Sequence, residues 1–321
     1  MARKPRIHAP GAVYHVILRG NARQDVFFDD KDRYRFYEIL QNSCERYRCR
    51  VHAFCLMTNH VHLEMQVGDF SLSRIMQNIS QRYTQWFNWR YKKSGHVFQG
   101  RYKAVMVDAD EYLLELAAYI HLNPVRARMT ELPEAYQWSS HRVYLGEETL
   151  CWLETDFVLS QFSPDVTLAR TKFAAFVEER STDGRRNEFH GESIADNRVF
   201  GDNSFVDVVL TTADCLQERK PGLSEVVAVV KNIYGISDEQ LMSQGRERVS
   251  CEARGLAAWA TLEVSSGTLV ELAALLRRNS STLTCAVRRI EKLREQDPSV
   301  ADKMERVRQE LSKSSYQGLT P

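Results

Sequence analysis

The first half of the chain alternates between β-type and helical patterns of apolar residues. Runs rich in β-branched residues over 11–20, 50–57, 61–67 and 97–107 predict four strands. Apolar residues recur every three or four positions over about 30–46, 71–91 and 110–123, which predicts three helices. The order β-α-β-β-α-β-α predicts an α+β fold, ferredoxin-like or RRM-like, in which an antiparallel sheet carries its helices on one side.

The second half has a different pattern. Residues 151–205 are irregular, and from Gly222 onward the apolar positions have helical spacing, with Ser residues placed as helix caps. A helix at about 267–276, a short polar turn and a helix to Leu293 have the spacing of a helix-turn-helix. We therefore expect a first domain over 1–150, a connecting region over 151–205, an all-α helix-turn-helix domain over 206–298 and a polar tail over 299–321.

Charge is distributed unevenly along the chain. The 321 residues carry a net charge of only +1. Residues 1–150 hold 21 Lys and Arg against 16 Asp and Glu, and eight of the nine histidines, whereas residues 151–321 hold 22 against 26. The first domain is therefore basic and histidine-rich, which the neutral average conceals.

Composition excludes several classes of protein. With 43% apolar and 10% aromatic residues the chain can bury substantial cores, which excludes wholesale disorder. No apolar run approaches the length of a membrane-spanning helix, and the first residues lack the apolar core of a signal peptide. The seven cysteines include no CxxC pair and are expected to be reduced. We expect a cytoplasmic protein with no membrane partner.

A pair of histidines lies in the third predicted strand. His60 and His62 alternate with Val61 and Leu63, so both imidazoles project from one face. At a separation of about 7 Å they could converge on one divalent metal ion, or they could be two packed or surface histidines. Further on, Tyr119 and Asn123 are four residues apart, which places them on the same face of one helix.

These residues lie in stretches that resemble the single-tyrosine HUH transposases, in particular the REP-associated tyrosine transposase group. The similar stretches are residues 8–20, MTNHVHL at 57–63, GHVFQGRYKA at 95–104 and YIHLNPVRA at 119–127. The resemblance implies that His60 and His62 bind a metal ion, that Asn123 completes the metal site and that Tyr119 is the nucleophile. His121 departs from the family motif, which assigns it no role. Together with Arg126 and Arg128 it is a candidate for activating the Tyr119 phenol.

The same residues permit phosphodiester cleavage. A Mg²⁺ or Mn²⁺ ion at His60, His62 and Asn123 would draw charge from the phosphate, and the Tyr119 phenolate would attack phosphorus. The products are a 5′-phosphotyrosine and a 3′-hydroxyl, and attack by another 3′-hydroxyl rejoins strands. We predict a transposase-like endonuclease and strand transferase for single-stranded or hairpin DNA, the repetitive palindromic element being implied by the resemblance. Tyr119 could act within its own subunit or across a homodimer.

A basic and aromatic stretch precedes the nucleophile. Residues 70–107 contain seven Lys or Arg and no acidic residue. Basic side chains can neutralise phosphates, and aromatic faces can stack on unpaired bases. We expect Tyr83 and Trp86 to be mainly core. DNA contacts are predicted for Lys92, Lys93, Arg101, Lys103 and, beyond the stretch, Arg126.

The two ends of the chain offer further contacts. Arg3, Lys4 and Arg6 form a basic N-terminal patch that could reach a minor groove or the base of a hairpin. Residues 249–292 resemble the C-terminal DNA-binding domain of the bacterial replication initiator DnaA, which implies duplex DNA as a partner. The resemblance carries that role to Arg277, Arg278, Ser280, Ser281 and Thr282. A helical protein-interaction module is the alternative for this domain.

Two other functions are compatible with parts of the sequence. A domesticated, non-catalytic DNA-binding regulator would keep the fold and bind hairpin DNA without nicking it. A histidine-triad nucleotide hydrolase also contains a His-Val-His string, but Glu64 replaces its third histidine. The intact set of metal-binding and nucleophilic residues favours the enzyme.

Overall fold

The computed structural model of the chain describes residues 7–192, 196–217, 221–245 and 247–316. The chain divides into two compact units, residues 1–211 and residues 212–321. Within the described ranges no helix is long and apolar enough to cross a membrane. Arg3, Lys4 and Arg6, predicted to bind DNA, lie outside the described residues.

The first unit is built on one five-stranded sheet. Its strands are β1 (Val13–Arg19), β2 (Arg50–Met57), β3 (His60–Gln66), β4 (Lys103–Val107) and β5 (Val199–Phe200). Their order across the sheet is β2-β3-β1-β4-β5. The first four strands pair antiparallel, as predicted, whereas β5 pairs parallel with β4 and makes the sheet mixed. β5 comes from the region expected to connect two domains, so that region is part of the first unit.

Eight α-helices begin within the described part of the first unit. They are α1 (Asp30–Tyr47), α2 (Leu72–Tyr91), α3 (Ala109–His121), α4 (Asn123–Arg126), α5 (His141–Leu145), α6 (Asp156–Leu159), α7 (Val166–Glu179) and α8 (Asn203–Gln217). The side chain of Asp29 accepts from the backbone of Asp32, and the Asp32 carboxylate accepts in return, so the predicted cap of α1 is present as a capping box.

Helices cover both faces of the sheet, which corrects the expectation of helices on one side. The ring of Tyr37 in α1 lies 5.2 Å from that of Phe54 on one face. On the opposite face the ring of Tyr119 in α3 lies 6.1 Å from that of His15. The expectation was wrong because His15, His62 and Glu64 alternate with apolar residues, a pattern typical of a solvent-facing side, yet all three are buried.

The strand predicted over residues 97–107 is shorter in the structure. Only Lys103–Val107 pairs as a strand, and Phe98 forms an isolated bridge to Gly20. Gly100 has a φ of +64°, a left-handed conformation that turns the chain out of an extended path. The basic residues before this strand therefore lie on a loop.

The second unit is entirely helical where it is described. Its helices are α9 (Leu223–Tyr234), α10 (Asp238–Met242), α11 (Arg248–Glu263), α12 (Leu269–Leu275), α13 (Ser280–Gln296) and α14 (Pro298–Tyr316). They share a core in which Trp259 is fully buried. The polar tail expected from residue 299 is instead helix α14 up to residue 316. Its apolar residues 300, 304, 307 and 311 recur at helical spacing and are buried in that core.

Candidate active site

The sheet face beneath α3 carries a cluster of histidines. β1 and β3 are neighbours, with Ile17 opposite His62 and His15 opposite Glu64. Because side chains alternate along a strand, His15, His60 and His62 project from the same face. The stacked His15 and His62 rings have centroids 5.1 Å apart, and the His60 and His62 rings are 4.9 Å apart. The two imidazoles predicted to share a face therefore do so, and His15 joins them.

A chain of hydrogen bonds determines which nitrogen of His62 carries its proton. The carbonyl oxygen of Phe189 can only accept, so His15 donates Nδ1–H to it at 2.8 Å. Burial lowers the pKa of His15 to about 3, which keeps that ring neutral and makes its Nε2 an acceptor. That Nε2 lies 2.8 Å from Nδ1 of His62, which must donate. His62 therefore presents an unprotonated Nε2.

His60 is oriented in the same sense by a different partner. Asn59 donates Nδ2–H to the carbonyl of Arg23 at 3.2 Å, which turns its Oδ1 toward His60. Nδ1 of His60 donates to that oxygen at 2.6 Å and leaves Nε2 unprotonated. Burial lowers the pKa of His60 to about 4 and that of His62 well below its usual range. Two neutral imidazoles with free Nε2 lone pairs are suitable donors for a divalent metal ion.

Tyr119 lies above this cluster and is only 6% exposed. Its hydroxyl is 2.7 Å from Nε2 of His190. The guanidinium of Arg126 lies 3.9 Å from the centre of the Tyr119 ring and donates to the Tyr119 carbonyl. Burial raises the pKa of the phenol, and the charge of Arg126 opposes that rise. Arg126, predicted to bind DNA, is therefore half-buried against the tyrosine.

Asn123 was predicted to lie on the same helix as Tyr119, but it does not. The helix of Tyr119 ends at His121, and Asn123 begins the separate short helix α4. Pro124 has no N–H for the carbonyl of Ile120, and the Asn123 side chain supplies one at 3.2 Å while also donating to the Tyr119 carbonyl at 3.3 Å. The amide nitrogen thus stabilises the helix junction, and Oδ1 is the atom left for a ligand.

His121 packs away from the hydroxyl of Tyr119. Its Nε2 lies 2.6 Å from Oγ of Ser140, and its Nδ1 lies 3.3 Å from Nδ1 of His141. The ring packs against Tyr144 and Phe173. His121 is therefore a buried packing residue, which corrects its candidacy for activating the phenol.

Glu64 is a third polar residue on the histidine-bearing face of β3. Its side chain is completely buried, and neither carboxyl oxygen has a hydrogen-bond partner among the described residues. Burial raises the pKa of the Glu64 carboxyl group well above its usual range.

The predicted DNA-binding lysines and arginine of the basic stretch are all exposed. Lys92 follows the last residue of α2 as its C-cap, Lys93 lies 4.6 Å from the ring of Phe28, and Lys103 pairs with Glu192 at 3.4 Å. Arg101 lies on the loop before β4. Tyr83 is fully buried, as predicted, whereas Trp86, also expected in the core, is only half-buried. Trp89 on the same helix is 77% exposed. We refer to Phe28, Trp89, Lys92 and Lys93 as the α2-end surface.

The second unit places its predicted contacts at the start of α13. Arg277, Ser280, Ser281 and Thr282 are exposed. Arg278 is half-buried instead, since its guanidinium donates to the carbonyl of Ser243 and to Oε1 of Gln244. A groove of about 1000 Å³ between α11 and α13 is lined by several basic residues, among them Arg248, Arg278 and Arg289.

Sequence reasoning missed three participants in the site. His15 had a signal, since it occupies the strand face shared with His62 once β1 and β3 are paired. Phe189 and His190 had none, because they lie in an irregular region whose path across the sheet depends on tertiary contacts. Among the described residues, no group of three His, Cys, Asp or Glu side chains is arranged as a metal site.

Comparison with known proteins locates the likeness in the first unit. Residues 9–123 match the family model of the IS200-like transposases. One solved structure, a REP-associated tyrosine transposase bound to a REP hairpin, aligns with 48% of this chain and 98% of its own at 14% identity and a TM-score of 0.40. No curated protein matches the chain. The chain is thus similar to the IS200-like transposases over a stretch that contains His60, His62, Tyr119 and Asn123 and ends before His190.

Proposed function

We propose that this protein cleaves single-stranded or hairpin DNA and transfers the cut strand, with Tyr119 as the nucleophile. The observation that carries the proposal is the position of Tyr119, whose ring lies 6.1 Å from that of His15 in the histidine cluster. A phenol that shares a site with neutral imidazoles has both a reactive oxygen and neighbouring donors for a metal ion. The likeness of residues 9–123 to IS200-like transposases supports the same activity.

The donor set fits a divalent metal ion, Mn²⁺ or Mg²⁺. Nε2 of His60 and Nε2 of His62 would hold the ion, because the second nitrogen of each ring is already committed to an oriented partner. Oδ1 of Asn123 is the further donor that the sequence motif implies. A metal ion at this position supplies a Lewis acid that withdraws charge from the phosphate.

The side chains then divide the chemistry between them. The Tyr119 oxygen forms a bond to phosphorus while the bond from phosphorus to the 3′-oxygen breaks, and the 3′-oxygen takes a proton from water. The product is a 5′-phosphotyrosine. Arg126 lies over the phenol ring at 3.9 Å and offsets the developing negative charge near it. Attack by a second 3′-hydroxyl reverses the step and rejoins DNA strands.

The α2-end surface is proposed to hold the single strand. Trp89 is 77% exposed, and Lys92 and Lys93, three and four residues further along the chain, are exposed as well. The end of α2 therefore offers both an aromatic ring for base stacking and cations for phosphate neutralisation. Arg101 and Lys103 extend the basic character of the first unit. The hairpin itself, as a repetitive palindromic element, is proposed on the resemblance of the sequence motifs.

The second unit is proposed to bind duplex DNA through a helix-turn-helix formed by α12 and α13. The turn between these helices comprises residues 276–279, and the first turn of α13 exposes three hydroxyl side chains. Helix N-termini with exposed hydroxyls and neighbouring arginines are suited to phosphate and base-edge contacts. The basic groove between α11 and α13 lies beside this surface.

The experiment incubates the protein with hairpin oligonucleotides and Mn²⁺ and separates covalent adducts under denaturing conditions. We expect an adduct on the 5′-phosphate for the native chain and none for Tyr119→Phe, while Tyr34→Phe, which alters an exposed tyrosine, behaves like the native chain. Binding without cleavage under every divalent metal would instead identify the non-catalytic regulator. Mixing Tyr119→Phe with a His60→Ala/His62→Ala variant tests the homodimer, because activity returns only if the tyrosine acts across subunits.

A further inference from the structure

A short segment outside the transposase-like stretch closes the candidate active site. It comprises residues 185–192 and is named here the 185–192 segment. Phe189 is fully buried, with its ring 5.3 Å from that of Tyr119 and its carbonyl bonded to His15. His190 follows it directly and lies at the Tyr119 hydroxyl. The segment therefore contacts both Tyr119 and His15, which orients His62 through a hydrogen bond.

Ion pairs hold this segment in place. Arg185 and Lys103 both pair with Glu192, at 2.8 and 3.4 Å. Arg186 pairs with Glu188 within the segment and with Glu115 of α3 at 3.6 Å. Together with the burial of Phe189, these contacts anchor the position of His190 relative to α3. A preorganised partner at a nucleophile is the arrangement that proton transfer requires.

We propose that His190 is a catalytic residue, the general base for Tyr119; the inference rests on the proposed function. A phenol is a stronger proton donor than a neutral imidazole N–H, so the hydroxyl donates to Nε2 across the 2.7 Å contact. As the Tyr119 oxygen bonds to phosphorus, its proton moves to Nε2 and the ring becomes an imidazolium. In strand transfer the tyrosine oxygen leaves phosphorus and takes that proton back, while the attacking 3′-hydroxyl loses its proton to water.

Other charged groups near the hydroxyl are less suited to this role. Arg126 and Arg185 are cations, and Glu188 is paired with Arg186. Nε2 of His190 is the side-chain nitrogen within hydrogen-bond distance of the oxygen among the described residues, and an imidazole can accept the proton. The geometry therefore selects one side chain for the proton.

The test measures the single-turnover rate of adduct formation on a hairpin oligonucleotide with Mn²⁺. We expect His190→Ala and His190→Gln to lower the rate by about 100-fold or more. Gln keeps the shape and can accept a hydrogen bond but cannot carry the proton, so a merely positional role would leave His190→Gln near the native rate. Asn187→Ala, an exposed position in the same segment, is the matched control and is expected to be unchanged.

Two further measurements keep the inference falsifiable. Incorporating 3,5-difluorotyrosine at position 119 lowers the pKa of the phenol, so the nucleophile needs less help from a base. This substitution should restore most of the rate lost in His190→Gln. If raising the Mn²⁺ concentration restores the rate instead, His190 is a metal ligand and the inference is wrong. The inference is also wrong if a His190 variant reacts faster than the native chain, because His190 would then block access to Tyr119. Failure of the native chain to form any adduct would refute the proposed function, whereas a native adduct with equal rates in both variants would refute only the role of His190.

Discussion

The Tyr119 hydroxyl lies 2.7 Å from Nε2 of His190, a residue 71 positions further along the chain. The same part of the chain supplies the Phe189 carbonyl that orients His15 and, through it, His62. Tyr119 and, through His15, His62 therefore have partners that lie beyond the stretch similar to IS200-like transposases, whereas His60 is oriented by Asn59 within it.

His15 is predicted to control metal affinity without touching the metal. His15→Leu removes the acceptor for Nδ1–H of His62, so the His62 ring is free to rotate or change tautomer. We expect a loss of about 10- to 100-fold in the apparent affinity for Mn²⁺, measured from the metal dependence of adduct formation. The glutamine of His15→Gln can both accept and donate a hydrogen bond, so this variant should recover most of the lost Mn²⁺ affinity. Tyr14→Phe, on the opposite face of β1, is the control, and an equal loss there would contradict the relay.

Asn123 is predicted to be separable into a helix-stabilising amide and a metal-binding oxygen. Asn123→Asp keeps an oxygen but loses both N–H bonds to the carbonyls of Tyr119 and Ile120, so it should lower the free energy of unfolding by about 1 kcal/mol or more. Its Mn²⁺ dependence should stay close to native if the oxygen is a ligand. Asn123→Ala should lose both properties. Native metal dependence in the alanine variant would remove Asn123 from the metal site.

His141 is predicted to make the fold sensitive to acid. Burial lowers its pKa to about 4, beside His121 and 3.9 Å from Glu134. The unfolded chain takes up the proton near pH 6.5, so the stability that neutral His141 contributes is present above that pH and is lost as pH falls toward 4. The free energy of unfolding is measured with urea at pH 7 and pH 5 in the presence of a chelator. Between these two pH values it should fall by about 2 kcal/mol less in His141→Gln than in the native chain. Equal losses in both proteins would contradict the assignment.

The α2-end surface is predicted to contribute to single-strand affinity in two distinct ways. Trp89→Ala should weaken binding by roughly 1 to 3 kcal/mol with little change in salt dependence, because a stacking contact is removed. Lys92→Ala/Lys93→Ala should flatten the dependence of affinity on salt, because phosphate contacts are removed. Fluorescence anisotropy with an unpaired oligonucleotide over a salt series separates the two. Phe157→Ala, a partly exposed aromatic outside this surface, should have no effect on either.

Two adjacent arginines of the second unit are predicted to have opposite roles. Arg277 is exposed and has a φ of +52°, so Arg277→Gly removes a cation and relieves backbone strain; duplex affinity should fall while thermal stability is kept or raised. Arg278→Ala removes hydrogen bonds to Ser243 and Gln244 and should lower the melting temperature. The checks are duplex binding and thermal unfolding of the full chain. Unchanged duplex binding in Arg277→Gly would favour a protein-interaction module.

The order of strands and helices in the first unit could be predicted because local periodicity encodes it. Alternation along β3 placed His60 and His62 on one face, and Asp29 marked the start of α1. The buried face of helix α14 was also encoded, since its apolar residues recur at spacings of four and three, but the many charged residues around them favoured a tail. In each case the information lies within a few residues of the chain.

The sequence by itself determined the four antiparallel strands, the helices around Tyr119 and the candidate residues His60, His62 and Tyr119. Only the tertiary structure decided that helices cover both faces of the sheet, that His121 packs away from the phenol and that His15, Phe189 and His190 complete the site. Periodicity reports the face of a single element, whereas contacts between distant segments depend on how those elements are stacked. An irregular segment such as residues 185–192 has no periodicity, so its place in the site comes from the packing of Phe189 and the ion pairs around it.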